Sequence, residues 1–316
     1  MSKPLVIIVG PTSVGKSKVA IEVAKKLKGE IISGDSVQVY RGLDIGTAKV
    51  SPLEQQLIPH HLIDFVDPKT SFSVADFRKH AQQVIQEIYQ RGRIPILVGG
   101  TGLYIRAVVD PYEFVEVKTD LKLREALQAE AQQVGSQEMH RRLALIDPQA
   151  ARKIHPGATR RIIRALEVYN LTGQPISHFH HLETNQAPLY QAVWIGLTLK
   201  REKLYQKIDP RVDQMIQDGL VGEVKGLLAT GVKPESNAMQ ALGYKEIIPF
   251  LQDEYDLNTA IELIKRNTRR FAKRQLTWFR RDQRIQWIDV EKYPTLEELI
   301  QKICQIICRT IHLNVE

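Results

Sequence analysis

Apolar residues follow two alternating rhythms along the chain. Short strand-like runs stand at 5–9 (LVIIV, wholly apolar), 30–33, 94–98, 192–199 and 285–288. Between the first three runs, residues 18–27 and 74–91 carry apolar side chains at helical spacing. Strand and helix in alternation predict βαβ units and hence a parallel sheet. The rhythm breaks from about Tyr112 to Leu189, where helical patterns at 121–134, 136–146 and 159–171 follow one another with no strand before Gln191. The sheet pattern resumes at "AVWIGLTL", and helices are predicted over 200–217, 257–281 and 296–311. The prediction is an α/β fold with a core of residues 1–112 and 190–316 and a helical insertion at 113–189.

The first strand runs straight into GPTSVGKS at 10–17, which satisfies G-x-x-x-x-G-K-[ST] through Gly10, Gly15, Lys16 and Ser17. Between a strand and a helix, such a loop turns backbone N–H groups toward a phosphate at a helix N-terminus. Lys16 adds positive charge, and Ser17 is placed to hold Mg²⁺. The octet specifies a diphosphate cradle and leaves the owner of the phosphates open. Its strand–loop–helix setting makes the sheet one of the P-loop NTPase-like kind.

Ligands of such sheets sit beyond the carboxyl ends of the strands. Asp35 follows the second strand and is a candidate general base, with helix capping or Mg²⁺ ligation as plainer roles. Thr101 follows the third strand, behind a Gly pair expected to let the backbone approach a ligand closely, and the plainer role for its hydroxyl is to cap the next helix. Three strand ends thus offer a cradle, a carboxylate and a hydroxyl.

Two stretches are strongly basic. "TRRIIRALEVYNLTG" puts Arg160, Arg161 and Arg164 in the first turns of an insertion helix. In "KRNTRRFAKRQLTWFRR", Arg266, Arg270, Lys273, Arg281 and Arg284 fall near one helical face, with Ile264, Phe271 and Trp278 down another. Basic rows backed by an apolar face are the footprint of a phosphate-backbone partner, although a merely solvated basic helix has the same pattern. The net charge of +8 agrees with a polyanionic partner without requiring one.

With 316 residues, 43% hydrophobic and 25% charged, the chain reads as a soluble globular protein. No apolar stretch is long enough to span a bilayer, no signal-peptide pattern follows Met1, and a monomer in the cytoplasm is the expectation. The two cysteines, Cys304 and Cys308, fit a reducing compartment. Cys304, Cys308 and His312 share one helical face, but one helix seldom presents three ligands to an ion, so packing is expected. His60 and His61, upstream of a strand-like run, read as structural, with contact to a phosphate as the other option.

Taken together, the motifs resemble the bacterial tRNA dimethylallyltransferases (isopentenyl diphosphate:tRNA transferases) over nearly the whole chain. The resemblance is carried by GPTSVGKS at 10–17, ISGDSVQVYRGLDIGTAK at 32–49, PHHLIDFVDP at 59–68 and FSVADFR at 72–78. It continues through GRIPILVGGTGLYIRA at 92–107, HPGATRRIIRALEVY at 155–169, QALGYKE at 240–246 and AKRQLTWFRR at 272–281. The D-S-x-Q-x-Y-[RK]-G-x-D-I-G-T-A-K block is far more specific than the phosphate loop. The zinc finger that follows the core of eukaryotic members is not seen, which fits a bacterial-type member.

The resemblance implies transfer of a five-carbon group from dimethylallyl diphosphate, with Mg²⁺, to N6 of the adenosine 3′ of the tRNA anticodon. Gly10, Pro11, Thr12, Ser13, Val14, Gly15, Lys16 and Ser17 would hold the diphosphate, with Arg211 of "DPRVDQM" beside it. Asp35 would take the N6 proton, and Thr101 would help place the reacting groups. The tRNA-facing positions would be Asp35, Ser36, Val37, Gln38, Thr101, Arg124, Arg160, Arg161, Ile162, Ile163 and Arg164. To these the resemblance adds Gln240, Ala241, Leu242, Gly243, Tyr244, Lys245, Lys273, Arg274 and Arg280. The insertion would grip the anticodon stem, and the target base would be extruded into a channel. Rival readings are an adenylate dimethylallyltransferase acting on free AMP, ADP or ATP, a P-loop small-molecule kinase, and a non-enzymatic RNA-binding switch.

Overall fold

The computed structural model describes residues 3–111, 120–179 and 189–311. By contact density the chain divides into two compact units, Met1–Asp110 with Pro188–Glu316, and Pro111–Ala187.

The first unit holds six parallel strands: β1 (Pro4–Val9), β2 (Gly29–Ser33), β3 (His60–His61), β4 (Ile94–Gly99), β5 (Gln191–Thr198) and β6 (Gln286–Asp289), in the order β3-β2-β4-β1-β5-β6. Leu5–Val9 is fully buried because β1 lies between β4 and β5 with helices on both faces, which explains its unbroken apolar run. The helices before the insertion are α1 (Lys16–Leu27), α2 (Pro52–Leu57), α3 (Val74–Gln90) and α4 (Gly102–Val109). The second unit is built from α5 (Leu121–Val134), α6 (Ser136–Ile146), α7 (Pro148–Lys153), α8 (Thr159–Thr172) and α9 (Ile176–Phe179) around Leu127, Met139, Leu143, Ile162 and Leu166. The first unit then continues with α10 (Arg201–Gln217), α11 (Leu220–Ala229), α12 (Tyr244–Leu251), α13 (Leu257–Phe279) and α14 (Leu296–Ile311). Helix α14 packs on α1, α3 on α4, and α13 on α10, α12 and α4.

Two readings of the sequence change here. His60 and His61 are themselves an edge strand and do not precede one. His61 Nε2 meets Glu30 Oε2 at 2.7 Å, and Arg91 makes two further bonds to that buried carboxylate. His60 Nδ1 lies 2.7 Å from the Ile58 carbonyl, so both rings are structural. Helix α13 stops at Phe279, which takes Arg281 and Arg284 off the predicted basic face. Arg284 instead pairs with Asp110 and Asp282 and lies over the Trp194 ring, its guanidinium carbon 4.5 Å from the centroid.

The inward face of α13 also differs from the predicted Ile264–Phe271–Trp278 row: it is Ala260, Ile264, Ala272, Gln275 and Phe279. Small residues let the helix approach closely, while Trp278 stays exposed. Both cysteines are free, and burial pushes the Cys304 thiol up to about 11, consistent with a packing role. His312 lies outside the described residues.

Candidate active site

The phosphate loop follows from local backbone chemistry. Gly15 caps α1 at φ 98°, a conformation suited to glycine, and leaves the N–H groups of the first turn without a side-chain cap. Lys16 Nζ donates to the carbonyls of Gly10 (3.0 Å) and Pro11 (2.8 Å), folding back over the loop. Burial pushes this ammonium down to about 7; the Asp35 carboxylate opposes the shift and the Arg211 guanidinium adds to it. Arg211, on α10, reaches the hydroxyls of Thr12 and Ser13, both at 3.4 Å. Its pKa too is lowered by burial, against the pull of Asp35. Two cations thus converge on one loop beside a single carboxylate, an arrangement that gains greatly from an added polyanion. Ser17 is exposed in the first turn of α1.

Asp35 closes a tight turn just beyond β2. Its Oδ1 accepts the N–H of Val37 at 2.8 Å and of Gln38 at 3.3 Å, while Oδ2 has no protein partner among the described residues. Thr101 sits at the N-cap position of α4, yet its hydroxyl caps nothing there. It accepts from Ser36 N–H at 3.2 Å and donates to the Ser36 hydroxyl at 3.3 Å, binding the end of β4 to the Asp35 turn. The preceding Gly pair makes close protein contacts. A Cβ on Gly99 would lie 2.2 Å from the Gly34 carbonyl oxygen, and one on Gly100 would lie 2.1 Å from Gln275 Nε2.

A cavity of about 280 Å³ opens beside the loop and is lined by Thr12, Asp35, Ser36, Val37, Thr101 and Arg211. Ile208, Val212, Met215, Ile264 and Phe271 form an apolar wall. Gln240, Ala241, Leu242, Gly243, Lys245 and Arg274, with Gly46, Thr47 and Thr268, complete the lining. Residues far apart in sequence are therefore gathered at one site.

Three predicted RNA-facing side chains turn inward instead. Ile162 and Ile163 pack in the core of the second unit, because α8 needs that face to bury its apolar stripe. Tyr244 is fully buried, and its hydroxyl donates to Glu223 Oε1. Arg124 and Arg164 both donate to Glu167 Oε2, at 2.7 and 2.9 Å, since a carboxylate this deeply buried must be paired. Arg160 and Arg161 are exposed, with no carboxylate partner among the described residues. Gln240, Lys245, Lys273, Arg274 and Arg280 are also exposed.

Sequence reasoning missed Glu223. Its carboxylate accepts the N–H groups of Asp44 (3.0 Å), Ile45 (2.8 Å) and Gly46 (3.2 Å), pinning the 44–46 turn next to the cavity. Lys49 completes that frame, bonding Asp44, Asp64 and the Tyr40 carbonyl. Lys265 and Arg269 were missed as structural cations: they bridge α13 to Asp213 and Asp209 of the helix that carries Arg211. Only the i, i+4 spacing of Lys265 and Arg269, matched by that of Asp209 and Asp213, hinted at the pairing.

The IPP transferase family model matches residues 38–282, most of the chain. The chain belongs to the IPP transferase family. Among curated IPP transferase relatives, the tRNA dimethylallyltransferase of Carboxydothermus hydrogenoformans is 57% identical over 96% of this chain and 97% of its own. That of Heliobacterium modesticaldum is 53% identical over 98% and 97%. The full-length tRNA isopentenylpyrophosphate transferase of Bacillus halodurans superposes with a TM-score of 0.71 at 45% identity, covering 99% of both chains. A eukaryotic dimethylallyltransferase whose structure was determined acting on tRNA gives a TM-score of 0.82 at 30% identity, over 100% of this chain and 81% of that one. As in other IPP transferases, the P-loop-like sheet is the scaffold on which the site is built.

Proposed function

We propose that this IPP transferase moves the dimethylallyl group of dimethylallyl diphosphate onto N6 of adenosine 37, next to the anticodon, in tRNAs reading codons that begin with U. The products are N6-(dimethylallyl)adenosine and diphosphate. The observation that carries this reading is the joint lining of one cavity: cations and loop hydroxyls at one side, Asp35 and Thr101 beside them, and an apolar wall of Ile208, Val212, Met215 and Phe271. That apolar wall suits a five-carbon allyl group held beside its diphosphate.

The amides of residues 13–17, Lys16 and Arg211 bind the diphosphate and stabilise the negative charge that grows as its bond to the allylic carbon breaks. Allylic conjugation eases that cleavage. The N6 lone pair, delocalised into the adenine ring, forms the new C–N bond as the N6 proton passes to Asp35. Two backbone N–H groups orient one Asp35 oxygen, and the other has no competing protein partner among the described residues. Thr101 holds the Asp35–Ser36 turn in place through its contacts with Ser36.

No group of three or more metal-binding side chains occurs among the described residues. A divalent ion would therefore be held by the exposed Ser17 hydroxyl, donor oxygens and water, which suits Mg²⁺. When bound, it would supply charge neutralisation on the diphosphate. The tRNA would meet Arg160 and Arg161 of the helical unit, proposed to be an insertion domain for the anticodon stem, and Lys245, Lys273, Arg274 and Arg280 of the core. No helix among the described residues is long and apolar enough to cross a membrane. A monomer in the cytoplasm is the proposed state.

Labelled dimethylallyl diphosphate offered with unmodified tRNA, with AMP and with ATP tests the assignment. Label entering tRNA alone is the expected result. Label entering a free nucleotide, or none entering tRNA, would overturn it.

A further inference from the structure

Helix α13 turns one amide toward the core. Gln275 is 6% exposed, on a face otherwise made of Ala260, Ile264, Ala272 and Phe279. A buried amide costs stability unless both of its ends are satisfied. Here both are. Oε1 accepts the Thr12 N–H at 2.8 Å, and Nε2 donates to the Gly100 carbonyl at 3.1 Å. These partners lie just past the carboxyl ends of β1 and β4, which are adjacent in the sheet. One belongs to the loop that cradles the diphosphate, and the other immediately precedes Thr101. Gly100 leaves room for this amide, since a Cβ there would stand 2.1 Å from Nε2. The Thr12 N–H is consequently committed within the protein, which leaves its hydroxyl as the group of this residue open to the donor.

We propose that Gln275 is a positioning residue for the transfer: it holds the phosphate loop and the Thr101 loop in one frame, so that the donor and the reacting amine are placed relative to each other. Neither loop carries a direct hydrogen bond to the other that would do this among the described residues. A side chain that only fastened α13 to the sheet would need no donor and acceptor aimed at two different loops. The inference rests on the assignment of the cavity to prenyl transfer, and wild-type activity on tRNA tests that assignment separately.

Gln275→Glu is the diagnostic variant because it keeps the shape. Ionised, its second oxygen faces the Gly100 carbonyl and repels it. Protonated, it donates to that carbonyl while still accepting from Thr12 N–H, restoring the wild-type pattern. Burial and the carbonyl both favour the protonated acid, so its pKa is raised. Relative to wild type at each pH, kcat/KM for the donor should fall by about 10²-fold near pH 8.5 and recover at least about tenfold near pH 6, as expected for misplaced reacting groups. Gln275→Leu should stay low at both pH values, and tRNA Kd should change by less than about threefold in either variant.

Thermal melts at both pH values report the folded fraction, which a purely structural role would move without the kinetic pH signature. A ratio for Gln275→Glu that is flat with pH, or near wild-type kinetics for Gln275→Leu with only a lower Tm, would overturn the proposal. If Gln275→Glu does not fold, Gln275→Asn decides: it keeps both groups but is too short to reach both loops. A loss of about tenfold in donor kcat/KM at unchanged tRNA Kd supports the proposal, and a loss below about threefold overturns it.

Discussion

Binding of the donor should take up a proton, and the group that takes it up is Lys16. In the unliganded site its ammonium is pushed down to about 7 from an ordinary 10.5 by burial, with Arg211 adding to the shift. The added diphosphate favours the charged form and moves the value back up. The sign follows directly. Below about pH 7 the lysine is already charged and binding is unaffected, while above it each pH unit costs about 1.36 kcal/mol to recharge it. At about pH 8.5 the cost is about 2 kcal/mol, or about thirty-fold in donor Kd relative to the fully protonated site.

Calorimetric titration of the donor in buffers of different ionisation enthalpy measures the uptake. It should approach one proton near pH 8.5, about half a proton near pH 7, and little near pH 6. Lys16→Arg, which stays charged throughout, supplies the correction for the donor's own titration. Equal proton uptake by wild type and Lys16→Arg would refute the reasoning, as would a donor Kd that does not change between about pH 7 and 8.5.

Asp35→Ala should lower kcat by about 10²–10⁴-fold, the usual worth of a general base, with tRNA affinity nearly unchanged by filter binding; a collapse of tRNA binding would make Asp35 a recognition residue first. Phe271→Ala removes part of the apolar wall and should raise KM for the donor in steady-state kinetics while leaving tRNA Kd in place. Replacing Arg160 and Arg161 together with Ala should weaken binding of all tRNAs alike and reduce the slope of log K against log salt by about 2 if both meet phosphates. Ile162→Ala should destabilise the helical unit by about 2–5 kcal/mol in chemical denaturation, because Ile162 is fully buried there.

The elements that local chemistry governs were legible in the chain. The strand-like runs marked five of the six strands to within a residue or two, most clearly at β1, where a strand covered on both faces has little choice of composition. The phosphate loop was legible because its glycines, lysine and serine act through backbone geometry within eight consecutive residues. The two-residue β3 was not, because so short an edge strand carries no periodicity and exists only through pairing with β2.

The functions of polar side chains divided along the same line. Arg160, Arg161, Arg164 and Arg124 look equivalent in sequence, but buried Glu167 engages the last two. Lys265 and Arg269 belong to the same strongly basic stretch as Arg266 and Arg270, but acidic residues of α10 hold them. Glu223 carries no motif that marks it, and Gln275 sits inside the AKRQLTWFRR block with nothing to single it out, yet one pins the 44–46 turn and the other joins the loops at the ends of β1 and β4. By itself the sequence determined five of the strands, the phosphate cradle and the candidate carboxylate, which are marked by residue types within a few consecutive positions. The tertiary structure alone decided the strand order, which charges are free, which are spent on burial, and how the cavity is closed, because those outcomes depend on which separate elements are brought together, Thr12 with Gln275 at a separation of 263 residues among them.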